Sequence, residues 1–347
     1  MGKLKKIIII VIAIIILLIA SLILFYFSSL SSASNDKKYM NFKIEPGTSK
    51  TQIVDNLYSA GLIKNKYATL VYLYLHKNYN LQAGEYVLKK SMTTPEIIYQ
   101  LKSGKAVSNS YKLTFVEGLS IKKYISLIAK TYNWNESDLI NKIKDKDYLN
   151  TLINKYWFLD ENILNSGIYY PLEGYLTPNT YEFYKDATFE NIIEKMLDHT
   201  ESILNSHKEE IQNSNFNVHQ ILTIASICEK EALGSDDRYK VSQVIYKRVK
   251  NNQNLGMDVT SYYGVQKDMK ENITKADLDN QNPYNTRLST LIGLPIGPIC
   301  NPSRVSIDAA LNPANTDYTW FFADIKTGKV YFTNDYNEFL TFKEIYG

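Results

Sequence analysis

Residues 219–233 read HQILTIASICEKEAL, with no Gly or Pro and with apolar residues recurring at helical spacing. Wound at about 100° per residue with Glu229 at zero, Leu222 and Leu233 fall at about +20° and +40°, and Ala225, Ala232, Ile221 and Cys228 between about −40° and −100°. Glu229 therefore lies inside the apolar arc. Glu231 falls at about 200°, beside Thr223 and Lys230, and reads as a solvated carboxylate. A carboxyl group on a buried face must be paired or protonated, and one kept protonated near neutral pH is a general acid. Glu229 is thus the expected catalytic residue. The alternative is a purely structural ion pair from Glu229 to Arg238 or Arg248.

Around this helix, three segments combine turn formers with hydrogen-bonding side chains: PLEGYLTPNTY at 171–181, MDVTSYYG at 257–264, and PYNT at 283–286 together with GLPIGPICNP at 293–302. Aromatic rings stack on the apolar faces of pyranoses, while amides and hydroxyls bond sugar hydroxyls. The expected substrate-binding residues are therefore Glu173, Tyr175, Asn179, Asp258, Thr260, Tyr263, Tyr284, Asn285 and Asn301. Taken singly, each segment also reads as a structured loop whose Gly and Pro only set turns. All four arginines (Arg238, Arg248, Arg287 and Arg304) fall in this last third of the chain.

Upstream, the grammar changes. Phe42-Lys43-Ile44 alternates like a strand, Pro46-Gly47 turns, and Thr48 or Ser49 can cap a helix carrying Ile53, Val54 and Leu57. The layout returns at Leu113-Thr114-Phe115, Glu117-Gly118, Ser120 and the Tyr124, Ile125, Ile128 face. Between the copies, residues 81–88 read as a strand. Thr94 and Pro95 then open a helix that ends near Ser103-Gly104. This strand–helix–helix–strand order resembles LysM-type modules, which bind glycans containing N-acetylglucosamine; spacing the next domain from a membrane is the alternative role.

Residues 7–27, IIIIVIAIIILLIASLILFYF, carry no charge. As a helix they reach about 31 Å, close to the hydrocarbon thickness of a bilayer. Lys3, Lys5 and Lys6 precede them and keep the N-terminus cytoplasmic by the positive-inside rule. The run is long for a cleaved signal peptide, although Ser31-Ser32-Ala33 offers a small-residue site. The expected organisation is a tail (1–6), a transmembrane helix (7–27), a solvated linker (28–40), a LysM-like α/β module with an internal repeat (41–168) and a mixed catalytic domain (169–347). The fold class is α+β.

Composition narrows the function further. The 347 residues are 45% apolar and 22% charged, with a net charge of +3 that gives no case for nucleic acid. Cys228 and Cys300 match no zinc motif, and there is neither HExxH nor GxSxG.

Taken in order behind the apolar run, LEGYLTPNTYEF, IASICEKEA, DVTSYYG, YNT and GLPIGPICNP resemble the endolytic murein transglycosylase (YceG-like) family, from the anchor to near the C-terminus. The resemblance implies a LysM-like subdomain before the catalytic domain and puts the glutamate of an ASI-x-EKE motif on Glu229. It also implies cleavage of the MurNAc–GlcNAc β-1,4 bond of nascent peptidoglycan, beside membrane-bound synthases, without metal or organic cofactor. A two-carboxylate hydrolase pairing Glu229 with Asp258 or Glu173, and a non-catalytic wall-binding scaffold, are the rival readings. Gly256, Met257, Tyr331 and Phe339 depart from the family pattern.

Overall fold

In a computed structural model describing residues 3–76, 79–103, 110–324 and 327–347, the charge-free run is one continuous helix, α1 (Lys3–Ser29). Its stretch Ile9–Ser29 is long and apolar enough to cross a membrane, and its side chains from Ile9 to Phe25 are exposed. The segment after it departs from the expected solvated linker. Ser29 and Leu30 are buried, Thr94 N donates to Leu30 O (2.9 Å), Ser34 N to Lys90 O (3.0 Å) and Ser91 N to Asp36 O (3.0 Å). Polar composition suggested a free tether, but backbone groups do not depend on side-chain polarity, and here they bond to the folded module.

The chain divides into two compact units, Met1–Ser110 and Tyr111–Gly347. The first continues with β1 (Tyr39–Ile44), α2 (Lys50–Ser59), α3 (Lys66–Leu75), β2 (Gly84–Lys89) and α4 (Thr94–Ser103). β1 and β2 pair antiparallel from Tyr39↔Lys89 to Ile44↔Gly84. Their inward residues Phe42, Ile44, Tyr86 and Leu88 pack on Val54, Leu57 and Ile97. Gly47 takes φ +85°, and Ser49 Oγ accepts from Gln52 N (3.2 Å), as the turn-and-cap pattern requires. The cap of α4 is Thr93 rather than Thr94: Thr93 N donates to the Glu96 carboxylate (2.7 Å), and Glu96 N returns a bond to Thr93 Oγ1 (3.4 Å). Gly104, the expected end of that helix, lies outside the described residues.

The second copy of the repeat belongs to the second unit, so the expected module over 41–168 is not one compact body. Here β3 (Ser110–Phe115) leads into α5 (Ile121–Tyr132), α6 (Glu136–Lys144), α7 (Lys146–Lys155) and a 3₁₀ turn at Glu161–Leu164. β3 pairs with β4 (Asn179–Tyr184). Phe115, Tyr124 and Leu152 then share a core with Leu172, Leu197 and Leu222 from further along the chain. Local grammar identified the repeat, but long-range strand pairing decided which unit each copy joins. The rest is α8 (Phe189–Ser206), α9 (Lys208–Asn213), α10 (Val218–Glu231), α11 (Ser235–Lys250), α12 (Asp258–Gly264), α13 (Lys275–Leu278), α14 (Arg304–Leu311), β5 (Trp320–Ala323), β6 (Val330–Thr333) and α15 (Tyr336–Tyr346). β5 and β6 form an antiparallel hairpin from Trp320↔Thr333 to Ala323↔Val330. α10 packs against α11, α12 and α14 and is buried continuously from Ile221 to Glu229.

Candidate active site

α10 starts from a capping box, Asn217 with Gln220, and carries both candidate carboxylates at its other end. Glu229 is buried, as its place on the apolar arc requires, and both its oxygens are bonded to protein groups. Its Oε1 accepts from Arg238 Nη2 (2.9 Å). Its Oε2 accepts from Ser303 N (2.9 Å), Ser303 Oγ (2.6 Å) and Ser306 Oγ (2.7 Å). Ser303 is the N-cap of α14, so this carboxylate also sits at the positive end of a helix dipole. The side chain is only 4% exposed, and Glu229 does not line the large cleft described next. The ion pair to Arg238 forms.

Two residues on, Glu231 is not the solvated carboxylate expected from the helical wheel. The wheel gives directions relative to the apolar arc, and α10 is covered on its polar side too, so Thr223 and Ser226 are buried and Glu231 is half-buried. Glu231 lines a cleft of about 1010 Å³ with Arg248, Asp258, Tyr262, Trp320 and Phe339. Among the described residues its carboxyl group has no hydrogen-bond partner or ion pair. Burial raises its pKa from the usual carboxyl range to about 8; Asp258 adds to the rise and Arg248 opposes it.

Arg248 is held in place by its own bonds. Its Nε and Nη2 donate to Thr319 O (3.2 and 3.0 Å), and its Nη1 donates to Leu255 O. Its Cζ lies 4.7 Å from the Trp320 ring centroid, and burial lowers its pKa to about 10, so it stays charged at neutral pH. Asp258, at the start of α12, pairs with Arg287 Nη1 at 2.5 Å across the exposed edge of the cleft. Trp320 stacks on Phe339 (5.2 Å) and against Tyr336 (4.9 Å), giving the cleft an aromatic wall.

Of the nine expected substrate-binding residues, Asp258 lines this cleft. Six others, with Glu173, build the buried frame behind α10. Asn301 Oδ1 accepts from Gly174 N and Leu176 N (both 3.1 Å), and its Nδ2 donates to Leu119 O (3.2 Å) and Glu173 Oε1 (3.4 Å). Glu173 Oε1 also accepts from Ile121 N (2.9 Å), supplying the cap that Ser120 does not give α5, and its Oε2 accepts from Tyr263 OH (3.0 Å). Desolvation of this fully enclosed carboxyl raises its pKa to about 8. Tyr175 bonds His219 Nδ1 (2.8 Å), while Nε2 of that ring bonds Ile296 O (2.8 Å). Thr260 bonds Thr286 (2.8 Å), Asn285 accepts from Ser261 (2.8 Å), and Tyr284 packs against Tyr169 and Tyr263. Asn179 lies elsewhere, bonded to His199 (3.2 Å) in a shallow depression of about 480 Å³.

Gly174 shows why the first of these motifs needs its glycine. Its φ is +85°, and a Cβ there would lie 2.4 Å from Cβ of Pro298. Sequence reasoning missed Arg248 and the hairpin ring Trp320 as parts of the cleft. The aromatic run at 318–322 was the available signal, but nothing local ties it to α10, which is far away in sequence.

The sequence profile of the YceG-like family matches residues 42–344. The chain belongs to the YceG-like family. The endolytic murein transglycosylase of Bacillus subtilis is 34% identical over 314 residues, covering 90% of this chain and 86% of the relative. That of Streptococcus pneumoniae serotype 2 is 31% identical over 319 residues, covering 87% of this chain and 57% of the longer relative. A crystal structure of a YceG-like protein from Listeria monocytogenes is similar with a TM-score of 0.63 at 33% identity, over 88% of this chain and 99% of that one.

Proposed function

We propose that this YceG-like protein is a membrane-anchored endolytic peptidoglycan transglycosylase whose general acid/base is Glu231, not Glu229. The observation that carries the assignment is a cleft carboxyl group with no polar partner among the described residues, held protonated near neutral pH. Glu229 is engaged on both oxygens and lies outside the cleft.

Lytic cleavage needs no nucleophilic water, so one carboxyl group serves both proton transfers. Glu231 gives its proton to the GlcNAc O4 as the bond to MurNAc C1 breaks. The MurNAc C6 oxygen then bonds to C1, its proton goes to the Glu231 carboxylate, and the acid is restored. The products are a 1,6-anhydro-MurNAc end and a free GlcNAc 4-hydroxyl. Arg248, fixed by backbone carbonyls, places a positive charge near the transient carboxylate. The aromatic wall suits stacking on sugar rings, and cleavage within a nascent strand would end its elongation. We read β1–α2–α3–β2 as a LysM-like module, supported by its element order and antiparallel strand pair. We read α1 as a retained anchor with a cytoplasmic N-terminus, because a cut after Ala33 would remove Leu30 from its buried place.

Asp258 shares the cleft, so a two-carboxylate hydrolase is the rival mechanism. Mass spectrometry of products from un-crosslinked strands separates the two for the wild type, Glu231→Gln and Asp258→Asn. The expected products are lighter by one water than hydrolytic ends, absent with Glu231→Gln and still formed with Asp258→Asn. Full-mass reducing ends that require Asp258 would establish hydrolysis instead.

A further inference from the structure

One face of α3 turns away from the core of the first unit and is apolar and aromatic. Tyr67 and Tyr74 are 70% exposed, Leu75 64% and Val71 47%. At helical spacing these four side chains occupy an arc of about 100°. The opposite side, with Ala68, Thr69 and Leu73, is buried in the module. A contiguous exposed apolar stripe of this kind marks an interaction site.

Its position relative to α1 indicates what covers it. Lys64 Nζ, just before α3, donates to Ser31 Oγ at 2.7 Å, so α3 starts beside the end of α1. Further along, the Tyr72 hydroxyl has its pKa pushed up by burial, then by Tyr79 and also by Tyr26 of α1. α3 therefore lies beside the outer end of α1, near Ser31 and near Tyr26, which is half-buried between the exposed Phe25 and Phe27. Thr94 N and Ser91 N donate into the segment after α1, and Ser34 N of that segment donates to Lys90 O, which ties the segment to the module. Lysines gather at the same end: Lys37 and Lys38 in that segment, Lys64 on Ser31, and Lys90, whose carbonyl accepts from Ser34.

Resting on the reading that α1 spans the bilayer, we infer that this face of α3 lies in the interfacial layer of the same membrane. Tyr67, Val71, Tyr74 and Leu75 occupy the boundary between headgroups and acyl chains, and the lysines meet anionic phospholipid headgroups. Tyrosine favours this layer because its ring is apolar and its hydroxyl stays hydrated, and a basic collar adds electrostatic attraction. The module is then fixed against the bilayer by a second contact besides α1.

The test uses the full chain in phosphatidylcholine–phosphatidylglycerol vesicles, with nitroxide labels on Val71→Cys, Glu45→Cys and Ile16→Cys. Both native cysteines are buried, so the added thiol is the one labelled. Position 45 follows β1, at the end about 17 Å from Tyr39. Collision with oxygen and with a water-soluble nickel chelate is read by power saturation. The expected result is a several-fold higher oxygen-to-nickel ratio at position 71 than at 45. A position-71 label as open to nickel as position 45, with position 16 deep in lipid, overturns the inference alone. Shielding of position 71 from both reagents overturns it in favour of a protein partner such as a second copy. Nickel access at position 16 overturns the spanning reading, and the inference with it.

Discussion

Glu229→Gln and Glu231→Gln are expected to fail in opposite ways. In Glu229→Gln the amide oxygen takes the place of Oε2, where Ser303 and Ser306 donate, which turns the new NH₂ toward Arg238 Nη2, 2.9 Å from the present Oε1. A donor then faces a donor in a site where the Arg238 side chain is 13% exposed. Breaking a buried pair from one side costs about 3–5 kcal/mol, and Arg238 keeps Ala232 O and Ser303 Oγ, so about 3 kcal/mol is the fitting figure. For a unit of this size that lowers the melting temperature by about 6–12 °C. Cleavage measured well below that temperature should survive within about tenfold. Glu231→Gln breaks no hydrogen bond or ion pair among the described residues and removes a carboxyl group that is hard to ionise, so its melting temperature should hold or rise. Its kcat/KM should fall by about 10²–10⁴, the range for losing a general acid/base. Thermal unfolding and strand-cleavage rates on both variants decide the matter. An unchanged melting temperature with abolished cleavage in Glu229→Gln, beside a nearly wild-type Glu231→Gln, would refute the assignment and restore Glu229 as the acid.

Three further outcomes follow from the same contacts. As the acid form of Glu231 persists up to about pH 8, kcat/KM should fall tenfold per unit above that pH, and Asp258→Asn should move this limb to lower pH by removing a cause of the raised pKa. The buried Glu173 carboxyl binds a proton in the native state up to about pH 8, whereas the unfolded chain loses it near pH 4.5. Its contribution is therefore most favourable below pH 4.5 and declines as pH rises to 8, by roughly 3–6 kcal/mol. Glu173→Gln, which imitates the protonated form, should gain on the wild type in denaturant unfolding as pH is raised from 5 to 8; a constant difference would refute this. Gly174→Ala should destabilise the second unit by more than about 2 kcal/mol in chemical denaturation, because the left-handed backbone and the Pro298 contact both oppose a Cβ.

How much was legible in the sequence varied with the range of the interaction. The charge-free run, the α10 helix, the Gly47 turn and the Ser49 cap all rest on periodicity or on bonds between near neighbours, and each was readable. The cap of α5 was not, since its acceptor is Glu173, far along the chain. The motif segments also announced fixed polar geometry, but spacing could not say whether Asn301 or Asn285 bonds a sugar or a backbone amide. Both turn inward, because a loop wrapped around a buried helix must satisfy its own N–H and C=O groups.

The sequence by itself determined that this chain carries a long apolar N-terminal helix, that α10 is a core helix, and that a carboxylate on that helix is buried. Only the tertiary structure decided which carboxylate faces the cleft. A helical wheel measures angles between side chains of one helix and contains nothing about the elements packed around it. Arg238 and the N-terminus of α14 close over Glu229, while Trp320 and the start of α12 leave Glu231 at the wall of an open cleft. Two residues apart on the same last turn, one group is closed into the fold and the other faces the open cleft.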